Sequence, residues 1–289
     1  MYGRGPFSRE PAGTFNFEPP PPGSVLYLEP SPKRVRVILG GEVIADSQAA
    51  MLLHESGHQP VYYFPRADVR AEVLEPSERH THCPKKGDAS YYSVRVGERF
   101  EEAIAWYYPD AIPSAPPALR DMIAFYFRRM DRWLEEDEEI RGHPRDPYHR
   151  IDILRTSREV RISVEGVELA HTTHARALFE TGLPARWYIP REDVSAELLP
   201  SETTTHCPYK GDASYYSVDV SDGEDLVWYY PEPFPGALPI AGLLAFYNER
   251  VDIELDGERA ERPESPRRHA GRATGTPLTA ASSRPENRS

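Results

Sequence analysis

A thirteen-residue string occurs twice in this chain, and this repetition constrains the fold more than any other feature. Residues 82–94 read HCPKKGDASYYSV and residues 206–218 read HCPYKGDASYYSV, so the two differ only where Lys85 is replaced by Tyr209. Identity over so varied a string does not arise by chance, and a long internal repeat marks a duplicated structural unit. The chain is therefore predicted to hold two copies of one domain.

The similarity extends on both sides of that string, from Val35 and Val160 to Trp106 and Trp228. The offset between the copies changes only between motifs, where loops absorb deletions. Each copy spans roughly 100 residues, the usual size of a compact domain. The predicted organisation is a disordered segment at 1–23, a first domain at 24–135, a linker at 136–149, a second domain at 150–256 and a disordered tail at 257–289.

Composition sets these boundaries. The run Pro19–Pro22 and the tail, which is nearly devoid of large apolar residues, cannot offset the entropy of ordering by burial. The acidic run Glu135–Glu139 is interpreted as a solvated start of the linker. Docking of this run on a basic face of a neighbouring domain is the alternative.

Strand signals dominate both copies. Val35–Leu39 and Glu42–Ala45 are short apolar runs joined by two glycines, which predicts a β-hairpin that the second copy repeats. Only Met51–Glu55 and Arg120–Arg128 have a spacing compatible with a helix. The predicted fold class is mainly β, with two tandem copies of a small antiparallel domain that contains little helix.

Charge and cysteine content narrow the classes of function. The net charge of −12 argues against a general affinity for nucleic acid, because phosphates select basic surfaces. No apolar run reaches the ~20 residues of a membrane span, so no membrane is expected. The two cysteines, Cys83 and Cys207, occupy the same position in separate copies, which predicts free thiols and a reducing, cytoplasmic location.

The residues that both copies keep include a set suited to binding chemistry. Lys86 beside Cys83 would lower the pKa of the thiol, and Arg66 offers a planar fork for carboxylate or phosphate. Glu55 could act as a base or bind an amine. We expect these side chains to converge on one cleft in each copy. The predicted ligand-binding residues are Glu55, Arg66, Cys83, Lys86 and Trp106 in the first copy, and Glu180, Arg191, Cys207, Lys210 and Trp228 in the second.

Structural roles for the same residues are left open. A free cysteine often behaves as a small buried hydrophobe, and the proline and glycine around it build a tight turn. Arg66 could instead form an ion pair with Asp68 or Glu55 that fixes the domain. His80 and His82 would share a face of a strand, but the second copy has Thr204 in place of His80 and neither copy has paired cysteines. No metal site is predicted, and the cofactor is unknown.

The most specific motifs of the chain are Val35–Ala45, Leu53 with Glu55, Tyr63-Phe64-Pro65-Arg66-x-Asp68, Cys83-Pro84-x-Lys86-Gly87, Ala89–Ser93, Trp106–Pro109 and Ala124–Tyr126, with their equivalents in the second copy. At these motifs the chain resembles a bacterial family, the domain of unknown function 427. The resemblance covers about 200 of the 289 residues. It implies a compact β-tent domain similar in outline to Mss4-like folds, without the zinc-binding cysteine pairs of Mss4. A nucleotidyltransferase heading is also attached to this family.

Three functions follow as hypotheses, and whether the protein is an enzyme is left open. The first is an uncharacterised duplicated domain that binds a small polar or anionic ligand in a cleft of each repeat. The second is a non-enzymatic interaction module, in which the two repeats pair within the chain or recruit another protein. The third is nucleotidyl transfer, which requires bound divalent metal.

Overall fold

The two copies fold into two β domains built from equivalent strands. The structure is a computed structural model that describes residues 13–18 and 25–263. The strands of the first domain are β1 (Leu26–Pro30), β2 (Val35–Leu39), β3 (Glu42–Ser47), β4 (Met51–Glu55), β5 (Val61–Pro65), β6 (Leu74–Cys83), β7 (Gly87–Val96), β8 (Arg99–Tyr107), β9 (Met122–Phe125), β10 (Arg132–Glu135) and β11 (Glu138–Ile140). Those of the second are β12 (Ile151–Arg155), β13 (Val160–Val164), β14 (Val167–Thr172), β15 (Arg176–Glu180), β16 (Arg186–Ile189), β17 (Leu199–Cys207), β18 (Gly211–Ser217), β19 (Val227–Tyr229), β20 (Leu244–Phe246), β21 (Asp252–Leu255) and β22 (Glu258–Arg259).

Each domain consists of a seven-stranded and a four-stranded sheet. The first domain has the orders β1-β4-β5-β9-β8-β7-β6 and β11-β10-β2-β3. The second has β12-β15-β16-β20-β19-β18-β17 and β22-β21-β13-β14, which match the first strand for strand. The prediction of a mainly β fold in two tandem copies is confirmed.

The predicted hairpins form because their turns can adopt positive φ. Gly40 and Gly41 have φ of 61° and 78° between β2 and β3. In the second domain Glu165 and Gly166 have φ of 50° and 82° between β13 and β14. A two-residue turn with positive φ at both positions matches the right-handed twist of the flanking strands.

The two segments with helix-compatible spacing contain strands instead. Met51–Glu55 is β4, which lies between β1 and β5 with Leu52 and Leu53 both buried. Arg120–Arg128 contains β9, which lies between β5 and β8 and is flanked by short 3₁₀ turns. A strand that is covered on both faces loses the alternation of polar and apolar residues, so its sequence pattern resembles that of a buried helix.

The acidic run belongs to strands β10 and β11 of the first domain, and Glu136–Glu139 are exposed as the sequence interpretation has it. Glu135 lies in β10, where its carboxylate accepts a hydrogen bond of 2.8 Å from the Tyr62 hydroxyl. β11 then pairs with β10 and places Ile140 opposite the buried Trp133. In the second domain β22 likewise continues beyond residue 256. The rest of the segments predicted to be disordered lies mainly outside the described residues.

Each seven-stranded sheet is packed on both faces. The face toward the four-stranded sheet carries the larger core, which includes Phe64, Phe125 and Trp133. The opposite face, called the outer face below, carries a second core that includes Tyr63 and Leu119. Within the described residues, no helix has the length and hydropathy needed to cross a membrane.

Candidate functional site

A buried ion pair lies on the outer face of each domain. Lys86 Nζ is 2.5 Å from Glu55 Oε2, with side chains that are 10% and 13% exposed. Lys210 Nζ is 2.5 Å from Glu180 Oε2, with exposures of 8% and 7%. Removing a lysine and a glutamate from water is costly unless the two charges pair. Both domains form the same buried pair, so the pair is a feature of the domain and not of one copy.

The lysine is held in place by the turn between β6 and β7. The Lys86 amide donates to the Cys83 carbonyl at 3.1 Å, and the Lys86 carbonyl accepts from the Ile112 amide at 3.1 Å. Gly87 has φ of +98°, and a Cβ at this position would lie 3.0 Å from the Asp110 carbonyl oxygen. The glycine of the Cys-Pro-x-Lys-Gly motif is therefore required, because a side chain at this position would prevent the turn from packing against the loop at 110–112.

A second nitrogen group contacts the other carboxylate oxygen in both domains, but it comes from different parts of the chain. In the first domain Lys85 Nζ is 3.0 Å from Glu55 Oε1. In the second domain Tyr209 replaces Lys85, and His149 Nε2 lies 2.8 Å from Glu180 Oε1. The Tyr209 ring stacks on His149 with 4.2 Å between ring centroids. Where the repeated string loses Lys85, a histidine from outside the string therefore contacts the glutamate instead.

These contacts keep the glutamates ionised. Burial by itself raises the pKa of Glu180, but hydrogen bonds and charge from His149 and Lys210 outweigh it and lower the pKa to about 2. Burial likewise raises the pKa of Glu55, and Lys86 and Lys85 lower it by more, so that the net shift is downward. A carboxylate that is ionised throughout the neutral range and has both oxygens engaged is poorly suited to general acid–base catalysis.

Aromatic side chains line the same group in both domains. Trp106 Nε1 donates to the hydroxyl of the buried Tyr63 at 3.1 Å, and the two rings meet at 86°. Trp228 and Tyr188 repeat this contact at 3.1 Å and 86°. Lys86 Nζ is also 5.9 Å from the ring centroid of Tyr108. Burial is the main cause that raises the pKa of Tyr108, so its phenol stays protonated at neutral pH.

The cysteines lie at the edge of this group. Cys83 packs against the second core of the first domain and is half-buried, whereas Cys207 is buried in the equivalent core. Both thiols are free, as the sequence predicts. We refer to the resulting cluster as the Glu–Lys site. It comprises Glu55, Cys83, Lys86, Trp106 and Tyr108 in the first domain, and Glu180, Cys207, Lys210, Trp228 and Tyr230 in the second.

The predicted arginines do not lie with the other predicted residues. Arg66 Nη1 donates to the Tyr92 hydroxyl at 3.1 Å, and the guanidinium carbon is 4.3 Å from the Tyr107 ring centroid. These tyrosines pack against the core between the two sheets, on the opposite face from Trp106. Arg191 donates to Tyr216 at 3.2 Å in the second domain. The structure thus places the glutamate, lysine, cysteine and tryptophan of each copy on the outer face and the arginine on the opposite one.

Asp68 has a structural partner of its own. It accepts a hydrogen bond of 2.6 Å from the Ser47 hydroxyl, and Asp193 accepts the equivalent bond from Thr172 at 2.5 Å. The aspartate therefore ties the segment after β5 to the end of β3. Arg66 and Asp68 therefore have different partners, Tyr92 and Ser47, and the structure does not show the ion pair between them that the sequence left open.

Two histidine–aspartate pairs were not singled out from the sequence. His82 Nδ1 is 2.6 Å from Asp88 Oδ1, and His206 Nδ1 is 2.6 Å from Asp212 Oδ1. Both residues of each pair lie within the repeated string. The pairing of β6 with β7, and of β17 with β18, places the two residues opposite each other. The repeated string, read as a hairpin, would therefore have predicted both pairs from the sequence. Among the residues that the structure describes, no three His, Cys, Asp or Glu side chains are grouped so that they could hold a metal ion.

Comparison with known proteins agrees with the duplication. The family model described as "Domain of unknown function (DUF427)" matches the chain twice, at residues 27–136 and 152–257. A comparison with curated proteins found no match.

Proposed function

We propose, for a chain that belongs to the DUF427 family and carries its domain twice, that each domain binds a small polar or anionic ligand at the Glu–Lys site. The lysine ammonium has three N–H donors, and the glutamate takes one of them. The aromatic walls formed by the tryptophan and tyrosines would contact an apolar part of the ligand. A few polar groups in a largely apolar surround are typical of small-molecule sites.

One observation carries this proposal. The second nitrogen partner of the glutamate is supplied by Lys85 in one domain and by His149 in the other, so the contact persists although its sequence source changed. A contact kept in this way argues for a use beyond filling space. The fixed glutamate orients the lysine, and the lysine would donate to the ligand.

The test uses a variant that removes both charges together. Replacing a buried ion pair with neutral residues of similar size is often neutral for stability, whereas removing one partner is strongly destabilising. We expect E55Q/K86M to fold with a melting temperature near that of the parent. It should lose one of two equivalent binding events in a thermal-shift and calorimetric screen of amino acids, organic acids and nucleoside monophosphates.

Arg66→Gln is the matched control, because Arg66 lies on the opposite face from the Glu–Lys site. It should leave ligand binding unchanged. Loss of binding in R66Q with retention in E55Q/K86M would contradict the proposal, and so would a screen in which no compound binds the parent protein.

Pairing of the two repeats is a second proposed role, since the segment between the domains contacts both. The Asp146 amide donates to the Tyr209 hydroxyl at 2.8 Å, and the Tyr148 hydroxyl donates to Glu29 at 2.7 Å. His54 in β4 is fully buried and lies 2.7 Å from the same Glu29 side chain. These contacts support an intramolecular interface. We further place the protein in a reducing cytoplasm on account of its free thiols, and away from nucleic acid on account of its net charge of −12.

A further inference from the structure

A cavity of about 100 Å³ lies where the segment after β11 crosses the second domain. Its walls include Arg141 and Arg145 from that segment and His206, Asp212 and Phe234 from the second domain. The cavity is outside the Glu–Lys site, and the inference drawn from it is independent of the proposed function.

The imidazole of His206 has one nitrogen fixed and one without a partner. Nδ1 is 2.6 Å from Asp212 Oδ1. Because an ionised carboxylate only accepts hydrogen bonds, Nδ1 carries the hydrogen. Nε2 is buried and has no hydrogen-bond partner among the described residues. A buried polar atom without a partner is rare in native proteins and calls for an explanation, such as a bound ligand.

The two arginines are positioned by contacts that leave part of each guanidinium available. Arg145 Nε donates to the Pro208 carbonyl at 2.7 Å, and the guanidinium carbon lies 5.2 Å from the Phe234 ring centroid. Arg141 Nη1 is 3.8 Å from Asp212 Oδ2, which is longer than a hydrogen bond. Each guanidinium has five N–H donors, so both can bind a further acceptor.

Gly142 allows the segment to approach this closely. Its φ is +82°, and a Cβ there would lie 3.3 Å from Pro208 Cγ and 3.8 Å from His206 Cδ2. The linker backbone therefore packs directly on the Cys-Pro motif of the second domain. This contact closes one side of the cavity.

We propose that this junction cavity binds one small anion, a carboxylate or a sulfate-like group, between Arg141, Arg145 and His206. Glu139 and Asp212 also line the cavity and offset the charges of the two arginines. A proton on His206 Nε2 supplies both the missing positive charge and the missing donor. Anion binding is therefore coupled to uptake of one proton by the imidazole.

Calorimetric titration of the full chain with sodium sulfate, and separately with sodium acetate, tests the proposal at pH 6 and pH 8 with ionic strength held constant by chloride. Sulfate keeps the same charge across this range, so a change in its affinity reports on the protein. We expect one sulfate per chain at the junction, bound several-fold more tightly at pH 6 and lost in the variants of that site. His206→Gln and Arg141→Gln should each weaken sulfate binding at least tenfold, and circular dichroism should show that both variants fold.

His82→Gln is the matched control, because His82 and Asp88 form the same pair but are 67% and 77% exposed in the first domain. H82Q should bind sulfate as the parent does. The proposal is wrong if neither anion binds, if H82Q weakens binding as much as H206Q, or if H206Q and R141Q bind as the parent does.

Discussion

At the scale of single residues, Glu55 and Glu180 each have two nitrogen partners that favour the carboxylate form. One partner, Lys86 or Lys210, is part of the repeated string, so sequence comparison could find it. The second partner of Glu180 is His149, which lies in the predicted linker and has no counterpart in that string. Only the fold brings His149 within 2.8 Å of the carboxylate, and sequence reasoning therefore missed it.

The same contacts predict how stability depends on pH. The folded-state pKa of Glu180 is about 2, below its ordinary value of 4.5. The stabilisation is therefore complete above about pH 4.5 and is lost as the pH falls toward 2. From the size of the shift this amounts to about 3 kcal/mol. E180Q should be less stable at pH 7, because it leaves Lys210 buried without its counter-charge.

E180Q should also lose less stability than the parent on acidification to pH 2.5, by about 2 kcal/mol. Chemical denaturation at a series of pH values measures the difference. Glu165→Gln, in the exposed turn between β13 and β14, is the control and should follow the parent. A profile for E180Q that runs parallel to that of the parent would show that the ion pair contributes nothing to acid sensitivity.

At the scale of elements, the hairpins and strand ends could be predicted because glycine and proline mark them. The faces of the strands were harder to assign. Arg66 follows β5 and sits in a short 3₁₀ turn, where alternation no longer tells which face a side chain takes. Its position with Tyr92 and Tyr107 therefore appears only in the structure. The strands β4 and β9 are covered on both faces, which removed the alternation that would have identified them.

The turn of the Cys-Pro-x-Lys-Gly motif yields a prediction at this scale. Gly87→Ala adds a Cβ 3.0 Å from a backbone oxygen at a φ of +98°. Gly41→Ala meets the same kind of backbone strain, at a φ of +78°, with no atom within 4 Å of the new Cβ. We expect G41A to lose about 1 kcal/mol and G87A to lose about 2–4 kcal/mol, since the latter also displaces the loop at 110–112.

Denaturant unfolding of the two glycine variants side by side measures this difference. G41A reports the destabilisation caused by backbone strain alone, and the additional loss in G87A reports the steric clash with the Asp110 carbonyl oxygen. Equal losses for G41A and G87A would mean that the loop moves aside freely and does not fix the lysine.

At the scale of the whole molecule, the segment between the domains is a packed element. Its acidic run, Glu135–Glu139, predicts a solvated start to a linker, and residues 136–139 are exposed. In the structure Asp146 and Tyr148 contact the two domains, and β11 completes a sheet of the first. Amino-acid composition indicates whether a segment is polar overall. It cannot predict individual hydrogen bonds such as those of Asp146 and Tyr148.

Docking of this segment on the second domain predicts a local change in hydrogen exchange. Tyr209→Phe removes the hydroxyl that accepts from the Asp146 amide at 2.8 Å. Exchange at residue 146 should accelerate at least fivefold, and stability should fall by about 1–2 kcal/mol because a partly buried amide is left without a partner. Tyr148→Phe is the control, and exchange of the Asp146 amide in that variant should match the parent. Unchanged exchange in Y209F would contradict the packed junction.

The stoichiometry of ligand binding tests the central claim that each domain carries a Glu–Lys site. Calorimetric titration with a compound from the screen should give two bound molecules per parent chain. E55Q/K86M and E180Q/K210M should each give one, and the variant carrying all four substitutions should give none, while all three stay folded. Two molecules bound to the fourfold variant would show that the buried pairs are structural and that the ligand binds elsewhere.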